Sequence, residues 1–401
     1  MQVSSRNILK NVGSAVSLIG VGMSLASCSG IAGLDSINPT PPAVIATQAP
    51  TNAAPVSGTT LGTGSVKVGL ILPLSSPNGA VAASGLKNAA ELALSEFQSQ
   101  DVTLLVKDDL GTADGAAAAT RQAIAEGAEL IIGPLFANSV QSASRVAQGS
   151  GKSMIAFSSD EAVASRNIYL LSFTPQADVE RITSYALEKG KKSFAILAPD
   201  SIYGNVAVQN FEQKVKQAGG RVVATERYNG SAVTAAAQRL KASITGADAL
   251  FIPEDAVNLP SVAQALSSSG IDLSKLMVLG TSIWNQPSAF KISQFQGAVF
   301  PAPESTGFDS FAKRYKAKFG QNPVRIATLG FDATALVAAL TKTQGANRFQ
   351  ENVLTNASGF SGQDGVFRFR SDGTNDRALA VFQIGLGRVS SVSAAPKGFA
   401  K

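Results

Sequence analysis

The chain has 401 residues with a formal net charge of +6, one cysteine and no histidine. The lack of histidine excludes the Ser-His-Asp triad and the Cys-His pair and removes the usual zinc and copper ligands, while a single cysteine excludes an internal disulfide. Because the small positive charge is spread without basic runs, the composition also argues against a nucleic-acid partner.

The first 27 residues have the pattern of an export signal. Arg6 and Lys10 precede an apolar run, Val12 to Leu25, that is shorter than the ~20 residues needed to span a bilayer. The segment Leu25-Ala26-Ser27-Cys28 resembles the lipobox of bacterial lipoproteins, in which the cysteine is lipidated and becomes the N-terminus. We therefore expect residues 1–27 to be a signal peptide and Cys28 to carry a lipid anchor facing the periplasm. The alternative is an ordinary secretory signal in which Cys28 is incidental.

A predicted stalk follows the cysteine. Residues 28–64 are rich in Pro, Ala, Thr, Ser and Gly and carry one charge, Asp35, which is typical of a disordered tether. Ser29, which is not an aspartate, favours the outer membrane in lipoproteins of two-membrane cells that this segment resembles. The rest of the chain is long enough for two domains with substantial cores.

Strand and helix signals then alternate, which predicts an α/β fold of two doubly wound lobes with a cleft between them. Lobe I is predicted at residues 65–190, lobe II at 191–303, and residues 304–401 are predicted to return to lobe I with C-terminal strands. Predicted strands lie at 66–74, 102–108, 129–133, 153–157, 168–173, 193–200, 221–228, 249–253, 276–280, 297–303, 365–370 and 377–385. Predicted helices lie at 85–97, 115–126, 139–149, 177–189, 205–218, 233–244, 260–269, 308–319 and 326–340.

The loops at the ends of the first-lobe strands carry short hydroxyl and amide side chains. Asn138 is predicted to cap the helix that follows it, and residues 158–160 to open the next turn. Free helix amides beside hydroxyls suit a carboxylate ligand, although helix capping alone explains the same residue types. The first-lobe candidates for ligand contact are Ser75, Ala137, Asn138, Ser139, Ser158 and Ser159.

A family resemblance runs through most of the chain. The segments VKVGLILPLS, LLVKDDLGTADGAAAATRQAI, ELIIGPLFANSV, SMIAFSSD and SFAILAPDSIYGNVAVQNFEQKVKQAGG resemble, in order and spacing, type I periplasmic binding proteins of the leucine/isoleucine/valine-binding class. The resemblance extends from Val66 to about Gly385. It implies two Rossmann-like lobes, three hinge crossings and a small ligand closed between the lobes.

The resemblance also implies site residues. Loops 137–139 and 158–160 correspond to those that hold a ligand's α-carboxylate, and Tyr203 matches a tyrosine at the cleft edge. Asp160 stands where a hydroxyl is usual, so either it turns away into a cap or the ligand brings a cation.

The second lobe departs from the amino-acid-binding pattern. Ser282 stands near the position of the carboxylate that holds an ammonium group in amino-acid binders. Glu254 and Asp255 either supply that negative charge from a neighbouring strand end, or they cap the helix over 260–269 or face solvent. Trp284, the only tryptophan, is either an aromatic wall of the cleft or a packing residue.

The sequence is compatible with two functions. LGTSIWNQP, FDSFAKRYKAKFG, ATLGFDATAL and DGVFRFRSDGT resemble bacterial lipoproteins described as penicillin-binding protein activators. The protein is therefore expected to bind an amino-acid-like or peptide-fragment solute for an ABC permease, or to activate a penicillin-binding protein with the same fold. Catalysis, a cofactor and a metal are not expected: Lys107–Asp109 is interpreted as a solvated strand end, and the glycines of 111–116 lack GxGxxG spacing.

Overall fold

The computed structural model describes residues 58–98 and 100–399. The predicted signal peptide, Cys28 and most of the predicted stalk lie outside the described residues. Three sheets, with six, seven and three strands, are present in this part of the chain. The predicted α/β fold class is confirmed.

The first sheet has the strand order β1-β3-β2-β4-β5-β6. Its strands are β1 (Thr59–Leu61), β2 (Val66–Leu72), β3 (Val102–Asp108), β4 (Leu130–Ile132), β5 (Ser153–Ala156) and β6 (Ile168–Leu170). Strands β2 to β6 pair in parallel, whereas β1 pairs antiparallel with β3. The prediction of a disordered stalk up to residue 64 is wrong for β1. The outer edge of β3 would otherwise leave its backbone groups unpaired, and the extended segment Thr59–Leu61 satisfies them.

Helices cover both faces of the first sheet. They are α1 (Ala80–Glu96), α2 (Ala113–Ala125) and α3 (Ala137–Gly149). Alternate strand residues point to opposite faces, so Val68 and Leu70 belong to one core cluster while Ile71 and Leu105 belong to another. The second of these clusters includes buried alanines of both α2 and α3, which allow the two helices to pack closely.

The second sheet has the order β16-β15-β11-β10-β9-β7-β8. Its parallel strands are β7 (Ser193–Pro199), β8 (Arg221–Tyr228), β9 (Ala249–Phe251), β10 (Met277–Leu279) and β11 (Val299–Ala302). Its helices are α4 (Pro175–Glu188), α5 (Ile202–Gln217), α6 (Val233–Ser243), α7 (Leu259–Ser268) and the short α8 (Pro287–Phe290).

Helix α4 packs on the second sheet, although the sequence pattern predicted this helix to be part of lobe I. Its Val179 and Ile182 share a core cluster with Phe194 of β7 and Phe211 of α5. The chain leaves the first sheet after β6, so residues 171–174 form a crossing before α4 begins. Lobe I therefore ends near residue 171 rather than at residue 190.

The C-terminal part divides between the two lobes. Its elements are α9 (Ser305–Phe319), α10 (Ala327–Thr343), α11 (Glu351–Leu354), β12 (Phe360–Gly362), β13 (Gly365–Phe369), β14 (Asn375–Arg377), β15 (Ala380–Gly385) and β16 (Arg388–Ser393). Helices α9 and α10 pack against α1, and Phe367 of β13 joins the core of the first lobe. Strand β15 instead pairs antiparallel with β11 of the second sheet. The predicted return of the last strands to lobe I is therefore wrong for β15 and β16.

The predicted strand over residues 377–385 is interrupted by another crossing. Ala378 and Leu379 are buried between β14 and β15 and carry the chain from the three-stranded sheet to the second sheet. Arg377 Nε donates to the carbonyl of Ser172 at 2.9 Å, which joins this crossing to the crossing after β6. No helix within the described ranges is long and apolar enough to cross a membrane.

Candidate functional site

The carboxyl edge of the first sheet presents a polar surface. Ser75 is exposed after β2, and its backbone N–H donates to Asp108 Oδ1 at 3.3 Å. Helix α3 begins at Ala137, and the extended residue Phe136 occupies the N-cap position without a side-chain cap. The prediction that Asn138 caps this helix is wrong, because it lies within the first turn and its Oδ1 accepts from the Ser139 N–H at 2.8 Å.

The hydroxyl groups of Ser139 and Ser158 are engaged within lobe I. Ser139 is fully buried, and its Oγ donates to the carbonyl of Thr112 at 3.3 Å. Ser158 is also buried, and its Oγ accepts from the Asp160 N–H at 3.1 Å. Asp160 Oδ1 in turn accepts from the Ala162 N–H at 3.0 Å, so of the two possibilities for Asp160 the structure has the cap.

Three predicted residues, Ser75, Asn138 and Ser159, are exposed at this edge of lobe I. They follow β2, β4 and β5, which are neighbours in the sheet. The N-cap residue Phe136 gives no side-chain hydrogen bond to the first turn of α3, where only the Ser139 N–H is described as held by a side chain, that of Asn138. Amides at a helix start are donors for an anionic group, so the edge offers hydroxyl, amide and helix-terminal groups.

A cavity of about 990 Å³ lies at the carboxyl ends of β7, β8 and β9 in the second lobe. Two of the predicted residues, Tyr203 and Glu254, line it. Ser201, Tyr228 and Asp255 also contribute, and no lysine or arginine does. The charged side chains that line the cavity are therefore all acidic.

The Glu254 carboxylate is buried in a network of hydrogen bonds. Oε2 accepts from the hydroxyl of Tyr228, while Oε1 accepts from the Asp255 N–H at 2.7 Å and from Asn258 Nδ2 at 3.0 Å. Burial, reinforced by the bond to Glu254, raises the pKa of Tyr228 above its ordinary value. Glu254 does not cap α7, since Asn258 occupies the N-cap position. It shapes the inner end of the cavity and gives it negative charge.

Ser282 is bound to a carboxylate that comes from α4. Asp178 Oδ2 accepts from the Ser282 N–H at 2.9 Å and from its hydroxyl at 2.6 Å. Burial raises the pKa of Asp178 to about 7, and within the described chain no basic side chain contributes to that pKa. Burial and the charge of Asp178 also raise the pKa of Tyr203. A carboxylate is thus present beside residue 282 after all.

Trp284 is not a wall of the cleft. Its side chain is fully buried, packs against Phe295 with ring centroids 5.0 Å apart, and donates from Nε1 to the carbonyl of Glu254 at 3.1 Å. Gly280 lies directly against the indole: a Cβ at this glycine would come within 2.4 Å of it. The tryptophan therefore supports the loop that carries Glu254.

Sequence reasoning missed Asp178 and the outer wall of the cavity. Asp178 is an acidic residue in the first turn of a helix, where a negative charge interacts favourably with the helix dipole, so its residue type needs no further explanation. Its partner Ser282 lies 104 positions away, so no local spacing indicated the pair. The outer wall is formed by polar residues of α6 and α7 that resemble any solvated helix face, namely Thr234, Ser261, Gln264 and Ser268.

Comparison with known proteins identifies the family. Residues 65–388 match the model of the family described as periplasmic binding protein. The chain belongs to the periplasmic binding protein family. The resemblance noted in the sequence is thereby confirmed.

Solved structures of family members have the same fold. A Rhodospirillum rubrum protein assigned to a branched-chain amino acid ABC transporter is 18% identical, with a TM-score of 0.73 over 82% of this chain and 99% of that chain. A branched-chain amino acid ABC transporter ligand-binding protein from Burkholderia xenovorans is 18% identical, with a TM-score of 0.66 over 84% of this chain and 94% of that chain. LivJ from Streptococcus pneumoniae, solved with isoleucine, is 19% identical, with a TM-score of 0.57 over 82% of this chain and 99% of that chain.

A curated relative is the penicillin-binding protein activator LpoA of Enterobacter sp. (strain 638). It is 23% identical over 174 residues, which are 43% of this chain and 21% of that protein. The match thus spans about a fifth of the relative's length.

Proposed function

We propose that this family member is an exported solute-binding protein whose ligand is a small amino-acid-like molecule or peptide fragment, bound between the strand ends of the two lobes without chemical change. The observation that carries the proposal is the acidic cavity at the carboxyl edge of the second sheet, lined by Tyr203 and Glu254. Ligands of open α/β sheets bind at such edges. An ABC permease is the corresponding partner.

The two lobes offer opposite charges to a zwitterion. In lobe I, the start of α3 has no N-cap side chain, so its first backbone N–H groups, before the one held by Asn138, suit a carboxylate. In lobe II, Asp255 and Glu254 line the cavity together with Tyr203, which suits an ammonium group. An amino acid held between the lobes therefore meets a complementary group at each end.

Binding of the proposed solute is expected to raise the thermal stability of the protein. A solute at about 100 times its dissociation constant stabilises the folded protein by about 2.7 kcal/mol, which raises the melting temperature by several degrees. A thermal-shift screen of amino acids and short peptides measures this effect. Ser159→Trp places a bulky ring on the exposed carboxyl edge of lobe I and is expected to abolish the shift.

Ser150→Trp is the matched control for that experiment. Ser150 is also exposed, but it follows α3 and precedes β5, so it lies at the opposite edge of the same sheet. This variant is expected to retain the full ligand response. If no amino acid or peptide shifts the melting temperature of the wild-type protein, solute binding is rejected.

A second candidate function is activation of a penicillin-binding protein. The observation that favours it is the 174-residue match to the activator LpoA. In this case the protein must bind a cell-wall synthase directly, and its cavity need not hold a solute. Co-purification of a penicillin-binding protein with the wild-type chain, together with no response to any solute, would favour this function over the first.

We also propose that Cys28 anchors the protein to a membrane facing the periplasm, the outer one where a cell has two. The support is the lipobox-like segment and the charge-poor residues 29–57 that follow it. Cys28→Ser is expected to move the protein from the membrane fraction to the soluble fraction, as measured by immunoblotting after cell fractionation. A variant that stays in the membrane fraction would show that Cys28 is incidental.

A further inference from the structure

The cavity of the second lobe is larger than a single amino acid requires. Its volume of about 990 Å³ lies at the upper end of the ~300–1,000 Å³ typical of ligand pockets. From the strand ends it continues along α7, where Ser261, Gln264 and Ser268 line it. These three exposed residues are spaced by three and four positions and so share one face of the helix. The lining thus extends from the strand ends to Ser268, and we call this cavity the groove, with its inner end at the strands and its outer end at Ser268.

We propose that this groove binds short peptides with a free amino terminus, the amino group at the inner end and the peptide chain along α7. The proposal rests on the proposed solute-binding function and specifies the class of solute. The groove covers a surface of lobe II that extends beyond the strand-end loops.

Charge supports the orientation. The carboxylates of Glu254 and Asp255 line the inner end, and no basic side chain lines any part of the groove. A terminal ammonium group is therefore favoured at the inner end, and a terminal carboxylate finds no cation along the wall. The peptide's carboxyl end is accordingly directed outward, past Ser268.

The groove walls suit a peptide backbone. Hydroxyl and amide side chains of Thr234 on α6 and of Ser261 and Gln264 on α7 can donate to and accept from peptide groups. Buried Val262 and Ala265 line the groove between them and provide apolar contact. This mixture of polar walls and an apolar floor is typical of sites that hold small polar ligands.

The length of the wall sets the length of the ligand. Ser261 and Ser268 are seven positions apart, which corresponds to about 10 Å along a helix. An extended peptide covers about 10 Å with three residues. Affinity is therefore expected to rise with peptide length up to three or four residues and then to level off.

The test is a calorimetric titration of the full chain with L-alanine, dialanine, trialanine, tetraalanine and N-acetyl-tetraalanine. We expect trialanine to bind at least tenfold more tightly than alanine, tetraalanine to add little, and N-acetylation to weaken binding at least tenfold. Ser268→Trp narrows the outer end, so it is expected to weaken trialanine and tetraalanine binding about tenfold.

Ser267→Trp provides the matched control. Ser267 is the neighbouring exposed serine of α7, but it does not line the groove, so this variant is expected to bind every probe as the wild type does. Far-UV circular dichroism and the melting temperature check that both variants are folded.

Four results would overturn the proposal. If alanine binds and longer peptides bind no better, or if Ser268→Trp and Ser267→Trp behave alike, the groove does not hold peptides although solute binding stands. If N-acetylglucosamine oligomers bind in a Ser268-dependent way and the peptides do not, the occupant is a glycan. If neither alanine nor any peptide binds, the proposed function fails together with this inference.

Discussion

Asp178 is a buried carboxylate whose charge is balanced only by hydrogen bonds. Its Oδ2 accepts two of them, both from Ser282, and burial raises its pKa to about 7. A buried charge without a cation is costly, so the carboxylate is partly protonated near neutral pH. An ammonium group bound nearby would favour the ionised form.

Individual residues of the site were only partly predictable. Tyr203 and Glu254, which both follow predicted strands, line the cavity. The hydrogen-bonded pair of Asp178 and Ser282 depends on the packing of α4 against the second sheet. No local sequence pattern indicates this packing. Trp284 is buried by the close approach of Gly280, and residue type alone could not distinguish that position from a cleft wall.

Helices α1 and α10 show how a glycine permits close packing between elements. Gly330 of α10 lies against the backbone of α1, and a Cβ there would come within 2.4 Å of the Leu86 carbonyl oxygen. Backbone atoms cannot move aside as a flexible side chain can. The two helices therefore approach each other at a distance that only glycine allows.

Gly330→Ala is expected to destabilise the protein by about 1–3 kcal/mol, the usual cost of overpacking, although alanine has the higher helix propensity. Gly149→Ala is the matched control: this glycine ends α3, and a Cβ added there would meet no neighbouring atom within 4 Å. It is expected to leave stability unchanged or to raise it by up to about 1 kcal/mol. Urea unfolding measures both changes, and equal effects would contradict the packing argument.

Elements with a strong periodic pattern were predictable from the sequence. The predicted strands at 102–108 and 221–228 have the observed bounds, because each is a continuous run of residues with few that favour a turn. The strand Thr59–Leu61 was missed, because a short polar segment forms a strand only through the partner edge of β3. Long elements follow from local chemistry, and short ones depend on their neighbours.

At the scale of the whole molecule, the assignment of elements to lobes was the least predictable feature. Helix α4 and strand β15 have ordinary local patterns, yet each follows a crossing and packs on the second sheet. The crossings are short, such as Ala378 and Leu379, and they do not differ in composition from the strands around them. Lobe membership is thus decided by long-range packing.

Buried carboxylates occur in both lobes and dominate the expected pH dependence of stability. Burial is the main cause that raises the pKa of Asp109 to about 6 and the pKa values of Asp178 and Asp332 to about 7. Asp109 is fully buried, which corrects its interpretation as part of a solvated strand end. The chain contains no histidine, so these groups are not masked by imidazole titration between pH 5 and 8.

The sign of the effect follows from proton binding. In the unfolded chain an aspartate releases its proton near pH 4, whereas the folded protein keeps these protons up to pH 6 or 7. Each such group therefore favours folding most at low pH, and this contribution is lost as the pH rises through the folded-state pKa. The lowered pKa values of Asp248 and Asp272 act in the opposite direction, but only below about pH 4.

The free energy of unfolding is therefore expected to fall between pH 5.5 and 8.5. Asp178 alone contributes a decrease of about 2 kcal/mol, because one group whose proton is held only in the folded state changes stability by about 1.4 kcal/mol per pH unit up to its pKa. Asp178→Asn keeps an oxygen that can accept from Ser282 but cannot ionise. The free energy of unfolding of this variant should therefore fall by about 2 kcal/mol less than that of the wild type over the same pH range. Urea unfolding of both proteins at pH 5.5, 7.0 and 8.5 measures the difference. Parallel pH profiles for the two proteins would show that Asp178 is ionised in the folded state throughout this range, contrary to the effect of its burial.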